Sequence, residues 1–145
     1  THCIRWLGLS KRCLEEASAY VAHRMSFGQT LAAHEGVQWM LGDVAKDIQI
    51  GRLLTMQAAW KLDQGDFARS DISIAKIHAA DTLHKAADTA IQLLGARGYS
   101  KDTIVEWIYR YARQARLVDG ASEIHKMVLS RAYLSEGQDF FRWGV

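Results

Sequence analysis

The sequence predicts an all-α fold, an antiparallel four-helix-type bundle of long helices with an additional shorter helix. The 145 residues contain no proline, which would interrupt a helix. Apolar residues recur at helical spacing over long stretches, and the alternation typical of strands is nearly absent. Short connections between the helical segments favour antiparallel neighbours.

The first two helices are predicted on either side of a glycine-containing break. The first helix is expected from Cys3 to Arg24, and residues 26–28 form the break. The second begins near Glu35 and stops at Gly65. The predicted apolar stripes of these helices are Ile4, Leu7, Leu14, Ala17 and Val21 in the first, and Val37, Met40, Leu41, Val44, Ile48, Leu54 and Trp60 in the second.

The third helix is predicted from about Ala68 or Ser70 to Leu94, where Gly95 and Gly98 end it. Its many alanines would let neighbouring helices approach closely. The predicted seam consists of Ile72, Ala75, Ala79, Leu83, Ala86, Ala90 and Leu94.

Two shorter helices complete the prediction. One runs from Thr103 to about Leu117, with Ile104, Trp107, Ile108 and Tyr111 as its apolar residues. Ser122 is expected to cap the last helix. That helix is expected to pack through Ile124, Met127, Val128 and Leu134. The apolar side chains that follow it are expected to pack against another domain or subunit, and they are Phe140, Phe141 and Trp143.

The composition is that of one soluble globular domain over residues 1–145, with 49% hydrophobic and 23% charged residues. A net charge of +2 argues against nucleic acid or an anionic membrane as the main partner. No apolar run approaches the roughly 20 residues of a membrane span. Cys3 and Cys13 are expected to be reduced packing residues. Because the first residue is Thr1, we expect a piece of a longer protein.

Metal and nucleic-acid sites find little support in the residues. A di-iron bundle site needs Glu-x-x-His pairs, which the sequence lacks, and Asp81 with His84 is only a distant equivalent. His78 and His84 diverge around a helix and do not form a zinc pair. The predicted fourth helix carries a row of three arginines, Arg110, Arg113 and Arg116. We interpret this row as a solvated or interface-facing flank of the helix rather than an RNA site.

Three non-helical segments could carry chemistry. Residues 24–29 offer a guanidinium, a hydroxyl and an aromatic ring that suit a nucleotide, although a plain turn has the same composition. Residues 92–99 are either a helix end or a turn where backbone approaches a cofactor. Residues 119–122 place a carboxylate before a helix, as an exposed capping acid also would.

In this order, the three segments resemble motifs in the C-terminal domain of acyl-CoA dehydrogenases, and the resemblance covers essentially the whole chain. Residues 24–29 are similar to the family's Arg-x-(Ser/Thr)-Phe-Gly-(Lys/Gln) turn. Residues 92–99 are similar to its Gln-(Ile/Leu)-x-Gly-Gly-x-Gly-Tyr segment, with Ala96 in place of the second glycine. Residues 110–131 are similar to the stretch that includes the catalytic Glu-Gly-Thr-Ser-(Glu/Gln)-Ile motif.

The resemblance implies a homotetramer, or at least a dimer, with FAD across a subunit interface. Arg24, Ser26 and Phe27 would contact FAD from one subunit. His34 and Glu35 match a His-Gln pair near the flavin, and Glu35 adds a negative charge there. The implied contacts from the partner subunit to the ADP part are Gln92, Gly95 and Ala96. The residues implied to lie by the flavin are Ala121, Ser122 and Glu123.

The implied reaction is α,β-dehydrogenation of an acyl-CoA thioester, in which a carboxylate removes the α-proton while the β-carbon delivers hydride to the flavin. Asp119 falls where the family has its catalytic glutamate and is one methylene shorter. Gly120 would line the substrate. Some members of the family carry the base on the first helix of this domain, so an acid upstream of Thr1 is the alternative.

The implied partners are the acyl-CoA substrate, further copies of the chain, and an electron acceptor such as an electron-transfer flavoprotein. The N-terminal helical and middle β domains of the family are absent from these residues, so the isolated chain is expected to be inactive. The alternative function is a non-catalytic helical oligomerisation or interaction module. The expected compartment is the cytoplasm of a bacterium, with the mitochondrion or peroxisome as alternatives.

Overall fold

The computed structural model describes residues 1–142 and confirms the all-α prediction. The six α-helices of this part are α1 (His2–Val21), α2 (Glu35–Asp63), α3 (Arg69–Leu94), α4 (Ala96–Tyr99), α5 (Ile104–Ala115) and α6 (Ser122–Glu136). Two short 3-10 segments cover Leu31–Ala33 and Gly137–Phe141. None of the described helices combines the length and apolar character needed to cross a membrane.

Helix α3 lies at the centre of the bundle and packs against α1, α2, α5 and α6. The predicted seam is buried from Ala75 to Leu94, whereas Ile72 remains partly exposed. Because alanine side chains are short, the flanking helices approach the α3 backbone closely and bury Trp6 and Leu7 of α1 against it. The core therefore follows the alanine pattern that the sequence displays.

The predicted break after α1 contains a small antiparallel hairpin of β1 (Met25–Ser26) and β2 (Gln29–Thr30). Met25 pairs with Thr30, and Ser26 pairs with Gln29. Phe27 and Gly28, between the strands, have φ angles of 49° and 82°. Positive φ at both central residues is the geometry of a type I′ turn, which suits the twist of a hairpin.

The buried face of α5 differs from the predicted one by about one residue. Ile108 is buried as expected, but Ile104 and Trp107 are exposed. The face against α1 and α3 consists of Val105, Ile108, Ala112 and Ala115. Trp107 stacks on Tyr111 at the surface, with ring centroids 5.2 Å apart. The small alanines pack more closely on α3 than the aromatic side chains could, and this decides which face is buried.

The packing predicted for α6 is wrong within this part of the chain. Ile124, Met127 and Leu134 are exposed, Leu134 by 80%, because α6 packs mainly against α3 and the following 3-10 segment within residues 1–142. Phe140 and Phe141 pack on Tyr133 of α6. Trp143, predicted to join them, lies outside the described residues.

Two smaller expectations are also corrected. The third helix ends at Gly95, but residues 96–99 form the short helix α4, so Gly98 lies within a helix. A Cβ at Gly98 would lie 2.8 Å from Leu94 Cβ and 2.9 Å from Ile91 Cα, so only glycine fits there. On α2, Val44 and Ile48 are buried as predicted, whereas the stripe ends before Trp60, which is nearly half exposed.

Candidate active site

The first candidate segment follows the end of α1. The backbone N–H of Arg24 donates to the Tyr20 carbonyl at 3.0 Å, and the Arg24 carbonyl accepts from Leu31 N–H at 2.7 Å. Within residues 1–142, no carboxylate lies within 4.0 Å of the Arg24 guanidinium. Phe27, at the tip of the hairpin, is 96% exposed. This segment therefore presents a cation with no carboxylate partner among residues 1–142, and an exposed aromatic ring whose one aromatic neighbour there is His34, with ring centroids 6.5 Å apart.

His34 fastens the hairpin to the start of α2. Its Nε2 lies 3.1 Å from the Ser26 carbonyl, and its Nδ1 lies 3.2 Å from the amide Nε2 of Gln29. The imidazole satisfies both if Nε2–H donates to the carbonyl and Nδ1 accepts from the amide. Glu35 is exposed in the first turn of α2, where an acid is favourable to the helix dipole. His34 is thus engaged in local structure.

The second candidate segment lies beside the first in the same chain. Arg24 and Ser26 line one side of a cavity of about 380 Å³, and Gln92, Gly95 and Ala96 line the other. The resemblance assigned these two groups to different subunits, whereas the structure brings them to one cavity of one chain. Gly95 has a φ of 62°, and no atom lies within 4 Å of where its Cβ would be, so the backbone is open to an approaching ligand.

Arg97 belongs to this region and was missed by the sequence analysis. Arg97 lines the 380 Å³ cavity and also one of about 460 Å³, which is lined by His23 and Thr103 as well. Arg24 lines both cavities as well. The sequence signal was present, because a basic residue interrupts the small-residue turn between Ala96 and Gly98.

The third candidate segment is the turn between α5 and α6. Asp119 and Gly120 have positive φ angles of 53° and 85°. They line a third cavity of about 570 Å³, together with Ser73 of α3 and His125 of α6. The Asp119 carboxylate contacts Nδ1 of His2, and its side chain is 55% exposed in this chain.

Lys76 of α3 holds the turn through a hydrogen bond to its backbone. Its residue surface is only 5% exposed, and its Nζ donates to the Gly120 carbonyl at 2.6 Å. Burial lowers the pKa of Lys76, while the negative charge of Asp119 raises it. Within residues 1–142, no carboxylate lies within 4.0 Å of this ammonium. Its strongest contact in the protein is therefore the carbonyl of the turn.

His125 holds the same turn from α6. Its Nε2 lies 3.2 Å from the Asp119 carbonyl, and its Nδ1 lies 3.1 Å from Ser73 Oγ. A neutral ring fits both contacts when Nε2–H donates and Nδ1 accepts from the serine hydroxyl. The sequence analysis missed His2, Lys76 and His125, because they meet Asp119 and Gly120 only through tertiary structure.

The start of α6 differs from the prediction in one respect. The capping position is Ala121, and no side chain makes a capping hydrogen bond there. Ser122 is the first helical residue, and its Oγ is buried without a hydrogen-bond partner. Ser122 does not cap because it lies one position inside the helix rather than at the capping position. Glu123 is exposed and lies 3.5 Å from Arg116. A hydrogen bond to the Glu123 backbone lowers the pKa of its carboxyl, and Arg116 lowers it further.

The two groups of candidate residues remain separate within one chain. No residue lines both the cavity of Arg24 and Gln92 and the cavity of Asp119 and Gly120. Among the described residues, no cluster of His, Cys, Asp and Glu has the geometry to hold a metal ion.

Comparison with known proteins identifies the family. The sequence model of the acyl-CoA dehydrogenase C-terminal domain matches residues 1–134. The chain belongs to the acyl-CoA dehydrogenase family. The short-chain-specific acyl-CoA dehydrogenase of Clostridium acetobutylicum is 36% identical over 124 residues, which cover 86% of this chain and 33% of that protein.

Solved structures of the acyl-CoA dehydrogenase family agree in fold. The butyryl-CoA dehydrogenase from Megasphaera elsdenii matches with a TM-score of 0.87 at 30% identity, over 91% of this chain and 34% of that one. A glutaryl-coenzyme A dehydrogenase in complex with glutaryl-CoA matches with a TM-score of 0.84 at 30% identity, over 97% of this chain and 35% of that one. The chain thus spans about a third of the length of the relatives it matches.

Proposed function

We propose that the chain is the C-terminal helical domain of a longer, FAD-dependent acyl-CoA dehydrogenase that catalyses α,β-dehydrogenation of an acyl-CoA thioester. The observation that carries the proposal is the Asp119–Gly120 turn. It offers a carboxylate at the position of the family's catalytic glutamate, beside a cavity of about 570 Å³, and three basic side chains hold it.

Asp119 acts as the base in this proposal. One carboxylate oxygen takes the α-proton of the thioester, and a backbone N–H at the base residue helps to polarise the thioester carbonyl. Gly120 lines the substrate. FAD, when bound, accepts the hydride that leaves the β-carbon. A base upstream of Thr1 is the alternative to Asp119 within the same reaction.

The residues present fit a dinucleotide such as FAD. The Arg24 guanidinium has no carboxylate partner in the described chain and suits a diphosphate. Phe27 offers a free ring face, and the open backbone at Gly95 permits close approach. Arg97 adds a second positive charge to the same cavity.

Self-association follows from the separation of the two cavities. A single FAD that contacts both groups takes its nucleotide contacts from one copy and lies near Asp119 of another. In this arrangement FAD still lies across a subunit interface, as the resemblance implied. The turns of Arg24 and Gln92, however, belong to the same copy of the chain. A dimer is the smallest assembly that satisfies it, and a tetramer of two such pairs satisfies it equally.

The surroundings of Asp119 require more protein than this chain. A carboxylate needs a dry environment to become basic enough for a carbon acid, yet Asp119 is 55% exposed here. We propose that the N-terminal helical and middle β domains of the full-length enzyme cover it. The reduced enzyme then passes electrons to an acceptor such as an electron-transfer flavoprotein. The bacterial origin of the curated relative favours the cytoplasm as the compartment.

The test is purification of the full-length enzyme and of its Asp119→Asn variant. We expect a yellow protein whose flavin is reduced by acyl-CoA thioesters. Asparagine keeps the shape of the side chain and tolerates the same backbone conformation, but it cannot accept the proton. We therefore expect Asp119→Asn to retain FAD and to lower kcat by about 100- to 10,000-fold.

Two outcomes would contradict the proposal. Near-normal turnover by Asp119→Asn would move the base to an acid upstream of Thr1. A colourless full-length protein that stays colourless with added FAD would favour the non-catalytic helical module instead.

A further inference from the structure

The carboxylate of Asp119 meets the first turn of α1. Oδ2 of Asp119 pairs with Nδ1 of His2, although the two residues lie far apart in the sequence. The His2 ring also stacks on the indole of Trp6, with centroids 5.7 Å apart and planes inclined by 25°. Trp6 is only 1% exposed. The orientation of His2 is therefore set by a side chain that is fixed in the core.

The same indole supports a second contact to the turn. Lys76 Nζ lies 5.8 Å from the Trp6 ring centroid and donates to the Gly120 carbonyl. His125 of α6 contacts the Asp119 carbonyl through its Nε2. The backbone of the turn is thus held by Lys76 and His125, and only His2 contacts the carboxylate among these three basic residues.

We propose that His2 is a positioning residue for Asp119, donating Nδ1–H to Oδ2 so that Oδ1 is directed toward the α-carbon of the substrate. The inference rests on the proposed function, in which Asp119 is the base. An aspartate is one methylene shorter than the glutamate of the family, so its reach depends on a single side-chain rotamer. A hydrogen bond from a stacked, core-supported imidazole selects that rotamer at little entropic cost.

The test compares His2→Phe with His2→Asn in the full-length enzyme. Phenylalanine keeps a ring that can stack on Trp6 but has no donor, whereas the Nδ2 of asparagine occupies nearly the place of the imidazole Nδ1. At saturating acyl-CoA, we expect His2→Phe to slow flavin reduction by about 10- to 100-fold, because the carboxylate is misplaced for proton removal. KM should change little, because the carboxylate takes part in proton removal and not in substrate binding. His2→Asn should recover most of the rate.

His84→Phe is the matched control. His84 lies on α3 beside Tyr109, and its buried Nδ1 has no hydrogen-bond partner. The variant removes an imidazole remote from the turn and should leave flavin reduction at the parental rate.

A second measurement does not depend on turnover. The change in Tm caused by His2→Phe is compared in the parent and in the Asp119→Ala background, as a double-mutant cycle. If His2 contacts the carboxylate, the two changes differ. Equal changes in both backgrounds overturn the inference, even where His2→Phe has lost its flavin.

The outcomes separate this inference from the proposed function. If Asp119→Asn is inactive while His2→Phe reduces flavin at the parental rate, His2 has no positioning role and the proposed function stands. If His2→Phe is slow and His2→Asn is equally slow, the hydrogen bond is not the cause and the inference is wrong. If the parent enzyme itself reduces no flavin with any acyl-CoA, the proposed function fails first.

Discussion

Asp119 has a φ of 53°, a region of backbone conformation that Asp and Asn tolerate better than longer side chains do. Under the proposed function, in which Asp119 takes the place of the glutamate of the family, this offers a physical reason for the shorter side chain. In that proposal Lys76 and His125 hold the backbone of the turn, and His2 contacts its carboxylate. Conformation and chemistry are therefore linked at a single residue.

Gly120 is the more restrictive position of the turn. Its φ is 85°, and a Cβ added there would lie 3.0 Å from His125 Nε2. We expect Gly120→Ala to lower the free energy of unfolding by about 1–2 kcal/mol, the cost of a left-handed conformation for an L-residue. Urea unfolding of the purified chain measures the change.

Gly42→Ala is the control for this prediction. Gly42 lies inside α2, and nothing lies within 4 Å of its added Cβ, so alanine should stabilise the helix by up to about 1 kcal/mol. Equal effects of both substitutions would show that the strain at Gly120 is absent.

At the scale of the element, α3 determines the packing of the bundle. Ala87 is fully buried in its seam, so a larger side chain must displace a neighbouring helix. We expect Ala87→Leu to lower the free energy of unfolding by about 1–3 kcal/mol. Ala45→Leu on the exposed face of α2 should have little effect. Thermal unfolding of both variants tests the difference, and an unchanged Tm for Ala87→Leu would show a loosely packed seam.

How well each helix could be predicted depended on how far its own sequence determines which face is buried. The alanine period of α3 predicted its buried face correctly from Ala75 to Leu94. On α5 the predicted apolar set included Trp107, but the face that packs against α3 contains Ala112 and Ala115 instead. The apolar residues of α6 were predicted to be core, but within residues 1–142 this helix packs mainly against one other helix, α3.

The residues of the candidate site, too, could be predicted from the sequence only in part. Residues contiguous in sequence, such as the turn of Asp119 and Gly120, could be found from their motif. The side chains that hold this turn could not be found, because His2 and Lys76 lie on other helices and carry no local signal. Their roles arise from the packing of α1 on α3, which no short motif encodes.

At the scale of the whole molecule, large apolar side chains remain on the surface. Trp39, Leu53 and Met56 of α2 are all more than half exposed. Exposed apolar surface of this kind marks an interface. It agrees with the proposal that two further domains and other copies cover this chain in the full-length enzyme.

We therefore expect the isolated chain to bind FAD much more weakly than the full-length enzyme does. The chain supplies only the contacts around Arg24 and Gln92, and the proposed site is completed by other domains and copies. Fluorescence titration of both proteins measures the two affinities. Equal affinities of chain and enzyme would contradict the proposal that FAD lies at an interface.

In the full-length enzyme, Arg24→Ala should weaken FAD retention, since a guanidinium paired with phosphate is lost.

The pairing of His2 with Asp119 has a consequence for biosynthesis. His2 leaves the ribosome before nearly all of this domain, and Asp119 leaves only when most of it has been made, so the carboxylate cannot be oriented while translation of the domain is under way. Under the proposed function, a polypeptide that ends before the turn of Asp119 and Gly120 therefore carries no formed proton acceptor.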